Sequence, residues 1–384
     1  MAGTTAIATL AASLLVGAGA PRPQVAIVPS DVLVDAPVDV RVTGLRPHER
    51  ATLVATTKDY RGQTWRGTVS YVASVAGVVD THRSGRLFTS MTGPAGSSLG
   101  PALGPTTVTI RVRARGRVVA TGSFTRRGVA PGLIERDVTL GSDGFVGSYF
   151  ALPGSSPGPA VLVLGGSAGG HSPYPAALLA SHGYPSLSLA YFREQGLPPT
   201  LQDVPLEYFE LALRWLARQP GVDPARVVVL GVSRGGEAGL LLGATYPDLV
   251  HGVIAGSPSD QVIGGLPSGS AWSLGGDPVP AGPIAVERID GPVLAFAGGK
   301  DEVWESAAAV QRLLARARSH GRDDVVAVVY PNAGHGVIGI PNLPAPGMVE
   351  IGKQTTLELG GTPAANAAAH LDSWRRILRY LARR

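Results

Sequence analysis

Hydrophobic and polar residues follow one pattern up to about residue 130 and another after it. Between residues 25 and 130, short segments such as residues 38–42 and 107–112 alternate apolar with polar positions, and Gly, Pro and Asp separate them. A period of two residues without a helical stretch is typical of an antiparallel sandwich of strands. We therefore predict an immunoglobulin-like β-sandwich domain over residues 25–130.

From residue 132 onward, continuous apolar runs alternate with segments of helical spacing. A hairpin is predicted first, with strands at residues 134–140 and 144–151. Apolar runs that predict buried strands follow at residues 160–164, 186–190, 226–230, 250–255, 293–297 and 325–330. Helical segments lie at residues 175–181, 206–219, 236–245 and 306–319, and from residue 363 onward. This alternation indicates a doubly wound parallel sheet, and we predict an α/β-hydrolase domain over residues 132–384.

A Gly-x-Ser-x-Gly motif at residues 231–235 connects one of these strands directly to a helix. At such a sharp turn, side chains at Gly231 and Gly235 would collide with the neighbouring chain, so only glycine is tolerated there. The turn lifts the hydroxyl of Ser233 clear of the sheet edge. In this context the motif predicts a nucleophilic serine, and the alternative is an ordinary glycine turn.

Two other strands end in residues that can assist a serine. The run at 293–297 leads to Asp301, and the run at 325–330 leads to His335. Open parallel sheets collect their chemistry at the carboxyl ends of their strands, so we expect both residues to meet Ser233 there. His171, in a glycine loop near the same edge, is the rival histidine. The alternatives for Asp301 and His335 are a helix-capping acid and a solvated loop histidine.

The glycine loop at residues 165–170 follows the first parallel strand. Its N–H groups are free to point at an oxyanion, and we predict an oxyanion hole made by Arg234 with Ser167 or, alternatively, Gly166. A nucleotide-binding loop is the competing interpretation, but the loop lacks the required motifs. A formal Gly-x-Gly-x-x-Gly at residues 334–339 is followed by three prolines, which exclude the helix that should begin there.

Substrate specificity is predicted to reside in residues 257–290, a Gly-, Pro- and Ser-rich insertion between two strands. Trp272 and Leu274 in this insertion are the candidate substrate-binding residues, as part of an acyl pocket or of a lid over the serine. The alternative is a surface excursion that only covers the sheet.

Composition limits the chemistry further. The 384 residues include no cysteine, which excludes disulfides, a lipoprotein anchor and thiolate metal sites. The net charge of +5 is modest, the arginines are scattered, and no nucleic-acid motif is present. We predict no metal, no cofactor and no nucleic-acid partner, and a small molecule as the substrate. The oligomeric state stays open.

The chain begins with a short apolar leader. Residues 6–20 are small and apolar and end in Ala18-Gly19-Ala20, which resembles a signal-peptidase site. The segment is too short to span a bilayer, so no stable membrane insertion is expected. Residues 1–20 are therefore predicted to be a cleaved export signal of a secreted or cell-envelope protein. The alternative is a disordered leader of a cytoplasmic protein, and the lack of Lys or Arg at the start favours it.

Several separated motifs occur in the order found in one known family. They are residues 206–210, the turn at 231–237, Asp301, Gly334-His335 followed by Pro341, Pro344 and Pro346, and residues 360–367 with Asp372 and Trp374. Residues 35–38 and 44–45 resemble the first domain of the same family. Over residues 28–384 the sequence thus resembles the acyl-CoA thioesterase and bile acid-CoA:amino acid N-acyltransferase family.

This resemblance implies hydrolysis or transfer of an acyl group held as a thioester of coenzyme A. Ser233, Asp301 and His335 match the family's triad, and serine as nucleophile favours hydrolysis, because the acyltransferases carry cysteine. An exported carboxylic ester hydrolase and an N-acyltransferase are the alternatives. Arg234 stands where the family commonly has lysine, and the leader has no counterpart in the intracellular members.

Overall fold

The computed structural model describes residues 22–82, 85–94, 102–154, 156–351 and 355–384. The predicted export signal, residues 1–20, lies outside the described residues. In the ranges that are described, no helix combines the length and the apolar character needed to cross a membrane.

The amino-terminal part of the chain forms a β-sandwich. Over its described residues, one sheet has the strand order β1-β3-β6 and the other β2-β8-β7-β4-β5. Burial alternates along the strands: Val40 and Val42 are fully buried, whereas Arg41 between them is exposed. The predicted two-residue period is therefore confirmed. The elements are β1 (Gln24–Val28), β2 (Asp31–Leu33), β3 (Asp39–Thr43), β4 (Arg50–Lys58), β5 (Thr64–Val72), β6 (Val79–Asp80), α1 (Gly85–Thr89), β7 (Pro105–Ala114) and β8 (Arg117–Arg127).

The rest of the chain is built on a mixed sheet with the order β21-β20-β15-β14-β11-β12-β10-β9 among the described residues. The predicted hairpin forms its antiparallel edge, and the pairs from β12 to β21 are parallel. The elements of this sheet and its helices are β9 (Ile134–Val138), α2 (Leu140–Asp143), β10 (Val146–Ala151), β11 (Gly158–Leu164), α3 (Pro173–Ser181), β12 (Ser186–Ala190), β13 (Val204–Pro205), α4 (Leu206–Leu216), β14 (Val222–Val232), α5 (Arg234–Thr245), β15 (Val253–Gly256), β20 (Val293–Gly298), α6 (Ser306–Ser319), β21 (Val325–Tyr330) and α7 (Pro363–Leu381).

Helices cover both faces of this sheet, as a parallel sheet requires. Along β11, Leu162 and Leu164 belong to a core shared with α4, α5 and α6, while Val161 and Val163 belong to a core shared with α3 and α7. Because both faces are covered, the carboxyl ends of the strands are the open edge at which polar side chains can gather. The α/β-hydrolase fold predicted from the sequence is confirmed.

The predicted insertion, residues 257–290, has little regular structure of its own. It contains the short strands β16 (Gln261–Val262), β17 (Trp272–Leu274), β18 (Asp277–Pro278) and β19 (Gly282–Pro283) and a 3₁₀ turn at Val286–Arg288. Its strand β17 pairs with β13, which lies immediately before α4. A further hairpin, β22 (Met348–Ile351) and β23 (Thr355–Glu358), lies between β21 and α7.

Polar contacts join the sandwich to the large sheet domain. Asn342 Nδ2 lies 3.3, 3.1 and 3.3 Å from the carbonyl oxygens of Val34, Asp35 and Ala36. The Asp35 carboxylate accepts hydrogen bonds from His182 Nε2 at 2.7 Å and from Trp374 Nε1 at 2.8 Å. The junction is thus fixed by directed hydrogen bonds from several elements.

Candidate active site

Ser233 occupies the turn between β14 and α5. Its φ of 60° and ψ of −121° lie in a region that non-glycine residues rarely adopt, which stores strain at this position. The Ser233 N–H donates to Gly256 O at 2.7 Å, and the Ser233 carbonyl accepts from the N–H groups of Gly236 and Glu237 in the first turn of α5. These bonds hold the serine in its strained conformation.

The two glycines of the motif are needed for steric reasons. A Cβ atom on Gly231 would lie 1.9 Å from Gly235 O, and one on Gly235 would lie 2.3 Å from Gly165 O. Both contacts are with backbone atoms, which cannot rotate away as a side chain can. The collision expected from the sequence is confirmed.

Asp301 and His335 lie in the loops after β20 and β21, and their side chains meet. His335 Nδ1 and Asp301 Oδ2 are 2.8 Å apart, with the two side chains 7% and 1% exposed. Asp301 Oδ1 also accepts the N–H groups of Val303 and Trp304, and Oδ2 accepts the Ser306 hydroxyl at 2.5 Å. A carboxylate at Nδ1 favours the tautomer with the proton on that nitrogen, which leaves Nε2 as an acceptor.

Ser257, directly after β15, connects the His335 loop to the serine turn. Its hydroxyl donates to His335 O at 2.6 Å, and its carbonyl accepts from Trp304 Nε1 at 3.1 Å. The Trp304 ring meets the His335 ring edge to face, with centroids 5.0 Å apart. Since Gly256 binds the Ser233 N–H, adjacent residues contact the serine and the histidine.

Of the predicted triad, the structure joins Asp301 to His335 and places Ser233 at the same strand edge. Among the described residues, no hydrogen bond links Ser233 Oγ to an imidazole nitrogen. In free enzymes such bonds are often long and tighten only when substrate binds. The assignment of the three residues as a working triad therefore stays a prediction.

Sequence reasoning missed Ser257, Trp304 and Ser306. Ser257 and Trp304 follow the strand ends and α6 begins with Ser306, so the rule that drew attention to Asp301 and His335 also covers this neighbourhood. Their roles depend on contacts across loops, which the local pattern does not contain.

The glycine loop after β11 passes directly against Ser233. A Cβ atom on Gly166 would lie 3.0 Å from Ser233 Cβ and 3.5 Å from its Oγ. The hydrogen bonds formed among the described residues leave the N–H groups of Gly166, Ser167 and Arg234 without a partner. Their use as oxyanion donors stays a prediction.

The Arg234 side chain turns into a buried polar cluster. Arg234 Nη1 lies 2.8 Å from Glu237 Oε2, and Glu237 Oε1 accepts from Trp272 Nε1 at 2.9 Å and from the Ile263 N–H. Arg234 Nη2 reaches the carbonyls of Ile263 and Gly264. Burial raises the pKa of Glu237 to about 7, against the opposing effects of Arg234 and the two donors. The cluster ties α5 to the insertion.

Of the two predicted substrate-binding residues, Trp272 lies in the core and Leu274 at the surface, and substrate binding by Leu274 stays a prediction. Trp272 is fully buried, and its ring packs against Tyr191 and Phe209 at centroid distances of 5.8 and 5.9 Å. A side chain without exposed surface is part of the core rather than of a pocket wall. Leu274 is 42% exposed on the β17–β18 hairpin.

His171, the rival histidine, has other partners. Its Nε2 lies 3.1 Å from Ser148 Oγ, and its Nδ1 lies 3.4 Å from a Glu194 carboxylate oxygen. The Asp301 carboxylate is hydrogen-bonded to His335 and not to His171. Within the described part of the chain, no group of His, Asp or Glu side chains is arranged to hold a metal ion.

Comparison with known proteins gives consistent results. A family model described as BAAT / Acyl-CoA thioester hydrolase C terminal matches residues 204–263 and 276–384, and one described as Acyl-CoA thioester hydrolase/BAAT N-terminal region matches residues 35–140. Acyl-coenzyme A thioesterase 1 of Rattus norvegicus is 30% identical over 89% of this chain and 92% of its own length. Acyl-coenzyme A amino acid N-acyltransferase 2 of Rattus norvegicus is 29% identical over 93% of this chain and 97% of its own length.

Among solved structures, a putative dienelactone hydrolase from Klebsiella pneumoniae is 20% identical over 66% of this chain and 99% of that chain, with a TM-score of 0.48. The fold assignment rests on strand order and burial rather than on this likeness. The similarity to the thioesterase, by contrast, extends over most of both chains. The chain belongs to the family of acyl-CoA thioester hydrolases and bile acid-CoA:amino acid N-acyltransferases.

Proposed function

We propose that the chain hydrolyses acyl thioesters of coenzyme A through an acyl-enzyme intermediate formed on Ser233. The observation that carries this proposal is the 2.8 Å contact between His335 Nδ1 and Asp301 Oδ2, at the strand edge where Ser233 stands on its strained turn. A hydroxyl, an imidazole and a carboxylate arranged in this order are the groups that acyl transfer to serine requires.

In the proposed reaction, His335 Nε2 accepts the hydroxyl proton as Ser233 Oγ attacks the thioester carbonyl. Asp301 keeps the imidazole oriented and stabilises its charged form. The N–H groups of Arg234 and of Ser167 or Gly166 hold the oxyanion. The thiol leaves with the proton from His335, and water then attacks the acyl-enzyme in the same way and releases the acid.

The test is Ser233→Ala measured against Ser156→Ala, an exposed serine remote in sequence from the motif. Loss of the nucleophile should lower kcat for acyl-CoA hydrolysis about a thousandfold or more, measured with an acyl-CoA that the parent chain hydrolyses. It should also abolish labelling by a fluorophosphonate, which reacts only with an activated serine. Equal hydrolysis by Ser233→Ala and the parent chain would contradict the proposal.

An N-acyltransferase is the second candidate, because N-acyltransferases of Rattus norvegicus and Mus musculus are among the curated relatives. The two activities differ in the second nucleophile, water or an amine. Adding glycine or taurine to the same acyl-CoA assay and analysing for the amide distinguishes them. We expect the free acid, since the nucleophile is a serine.

We further propose that residues 25–130 and 132–384 are two domains and that residues 1–20 are an export signal. Export would separate the enzyme from coenzyme A and would favour a carboxylic ester of the cell envelope as the substrate. Amino-terminal sequencing of the mature protein, together with rates on simple esters and on acyl-CoA, decides between this alternative and a cytoplasmic thioesterase.

A further inference from the structure

An apolar cavity of about 180 Å³ lies beside Ser233, on the face of the sheet covered by α3 and α7. Gly165, Leu230, Val232 and Ile338 are among the residues that line it. Apart from those of Ser172 and Ser188, the side chains around it are hydrophobic, and the Ser188 hydroxyl donates to the Ser172 carbonyl at 2.8 Å. The cavity suits a hydrocarbon group better than a polar one.

Three of the lining residues adjoin Ser233 or a residue that touches it. Val232 immediately precedes Ser233, and Gly165 precedes Gly166, which touches the Ser233 side chain. Ile338 packs against Gly256, since a Cβ atom on Gly256 would lie 2.7 Å from Ile338 Cδ1. The carbonyl oxygen of Gly256 in turn accepts the Ser233 N–H. The cavity therefore lies close to the turn that carries Ser233.

Trp374 is also one of the lining residues and is 3% exposed. The same residue lines a second cavity of about 420 Å³ between the sandwich and the large sheet domain. Its indole N–H donates to Asp35, a residue of the sandwich whose carboxylate also binds His182. Trp374 thus stands between the two cavities and is held by the amino-terminal domain.

We propose that the cavity beside Ser233 binds the acyl chain of the substrate and that Trp374 closes its far end and so limits the chain length. This inference rests on the proposed thioester hydrolysis and specifies its substrate class. A water occupies about 30 Å³ and a methylene roughly as much, so the cavity holds an acyl chain of about six carbons. We therefore expect the protein to prefer substrates with short to medium acyl groups.

The first test measures kcat/KM for butanoyl-, hexanoyl-, octanoyl-, dodecanoyl- and palmitoyl-CoA. Each methylene that enters the cavity should raise kcat/KM about fourfold, up to a maximum near hexanoyl-CoA. Trp374→Ala joins the small cavity to the larger one and should raise the ratio of dodecanoyl- to hexanoyl-CoA hydrolysis at least tenfold. A matched control is Trp215→Ala, whose ring packs on Phe145 and Tyr149 on the opposite face of the sheet.

A second variant keeps the inference testable if Trp374→Ala does not fold. Ile340 lines the same cavity and is only partly buried, so Ile340→Trp should fold, fill the cavity and move the maximum to butanoyl-CoA. If the parent chain hydrolyses acyl-CoA but neither variant changes the chain-length profile, or Trp215→Ala changes it equally, the acyl pocket is overturned and the thioesterase proposal stands. If the parent chain hydrolyses none of the five thioesters, both proposals are overturned.

Discussion

The carboxylate of Asp301 is supported by more partners than the imidazole that it orients. Ser306 donates its hydroxyl to Oδ2, the same oxygen that receives His335, and it does so from the first residue of α6. Charged acceptors gain most from such bonds, because each one is stronger than a bond between neutral groups. Ser306 therefore positions Asp301 without contacting substrate.

We predict that Ser306→Ala lowers kcat/KM about tenfold, since a hydrogen bond to a charged group is worth about 1.5–3 kcal/mol and part of it is felt in the transition state. The loss should appear in kcat rather than KM and should come with an altered pH–rate profile. Ser319→Ala, at the exposed end of the same helix, is the control. Equal kinetics for both variants would show that Asp301 needs no such support.

The burial of Glu237 should make the unfolding free energy of the protein depend on pH. The unfolded glutamate ionises near 4.5, whereas burial raises its pKa in the folded chain to about 7. Between these values the folded state binds a proton that the unfolded state does not, so this contribution is complete below pH 4.5 and is lost as the pH rises through 7. The loss amounts to about 3 kcal/mol.

Glu237→Gln should flatten this dependence, because glutamine resembles the protonated acid at every pH. Urea unfolding at pH 5 and pH 7.5 should show the variant gaining stability relative to the parent by about 2 kcal/mol between the two conditions, since pH 5 already lies above the unfolded pKa. Glu135→Gln, on the exposed edge strand β9, should follow the parent. A relative loss of stability at pH 7.5 would mean that the ionised pair with Arg234 outweighs the cost of burial.

At the scale of elements, the serine turn works because three backbones approach one another closely. Gly235 lies where β11, β14 and α5 come together. A Cβ atom at this position would lie 2.3 Å from the carbonyl oxygen of Gly165 and 2.6 Å from that of Leu164. Neither oxygen can move without displacing the glycine loop that passes Ser233. The turn and the loop therefore depend on one another.

Gly235→Ala should accordingly abolish fluorophosphonate labelling and lower the unfolding free energy by at least about 2 kcal/mol, as overpacking against fixed backbone does. Gly141→Ala is the control, because a Cβ atom at Gly141 meets nothing within 4 Å and the residue lies in a short helix. Thermal unfolding and labelling of the two variants provide the measurement. Normal labelling of Gly235→Ala would disprove the steric argument.

The sequence predicts those features of the site that depend on the local hydrophobic pattern and on the order of the strands. Asp301 and His335 were found because each follows an apolar run, and parallel strands end at a common edge. Trp272 was misassigned because its burial depends on Tyr191, Phe209 and Glu237, which tertiary packing brings from other elements. A tryptophan in a Gly- and Pro-rich segment gives no local sign of such partners.

At the scale of the whole molecule, the junction between the sandwich and the sheet domain was also beyond sequence reasoning. Asp35 and Trp374 are 339 positions apart, and their contact follows only from the arrangement of the two parts. The pattern located both parts but carried no information about how they are joined. Directed hydrogen bonds at Asp35 and Asn342 supply that information in the folded chain.

Asp35→Ala should therefore lower the stability of the folded protein more than is usual for a substitution in a loop. The substitution removes the acceptor of Trp374 and of His182 in a nearly buried setting, so it should lower the unfolding free energy by about 2 kcal/mol. The control is Asp31→Ala, whose exposed ion pair with Arg127 should contribute much less to stability. Urea unfolding followed by tryptophan fluorescence compares the two. Equal midpoints of urea unfolding would show that the junction contributes no more to stability than a surface ion pair. They would also contradict the inference that Asp35 holds Trp374 in place.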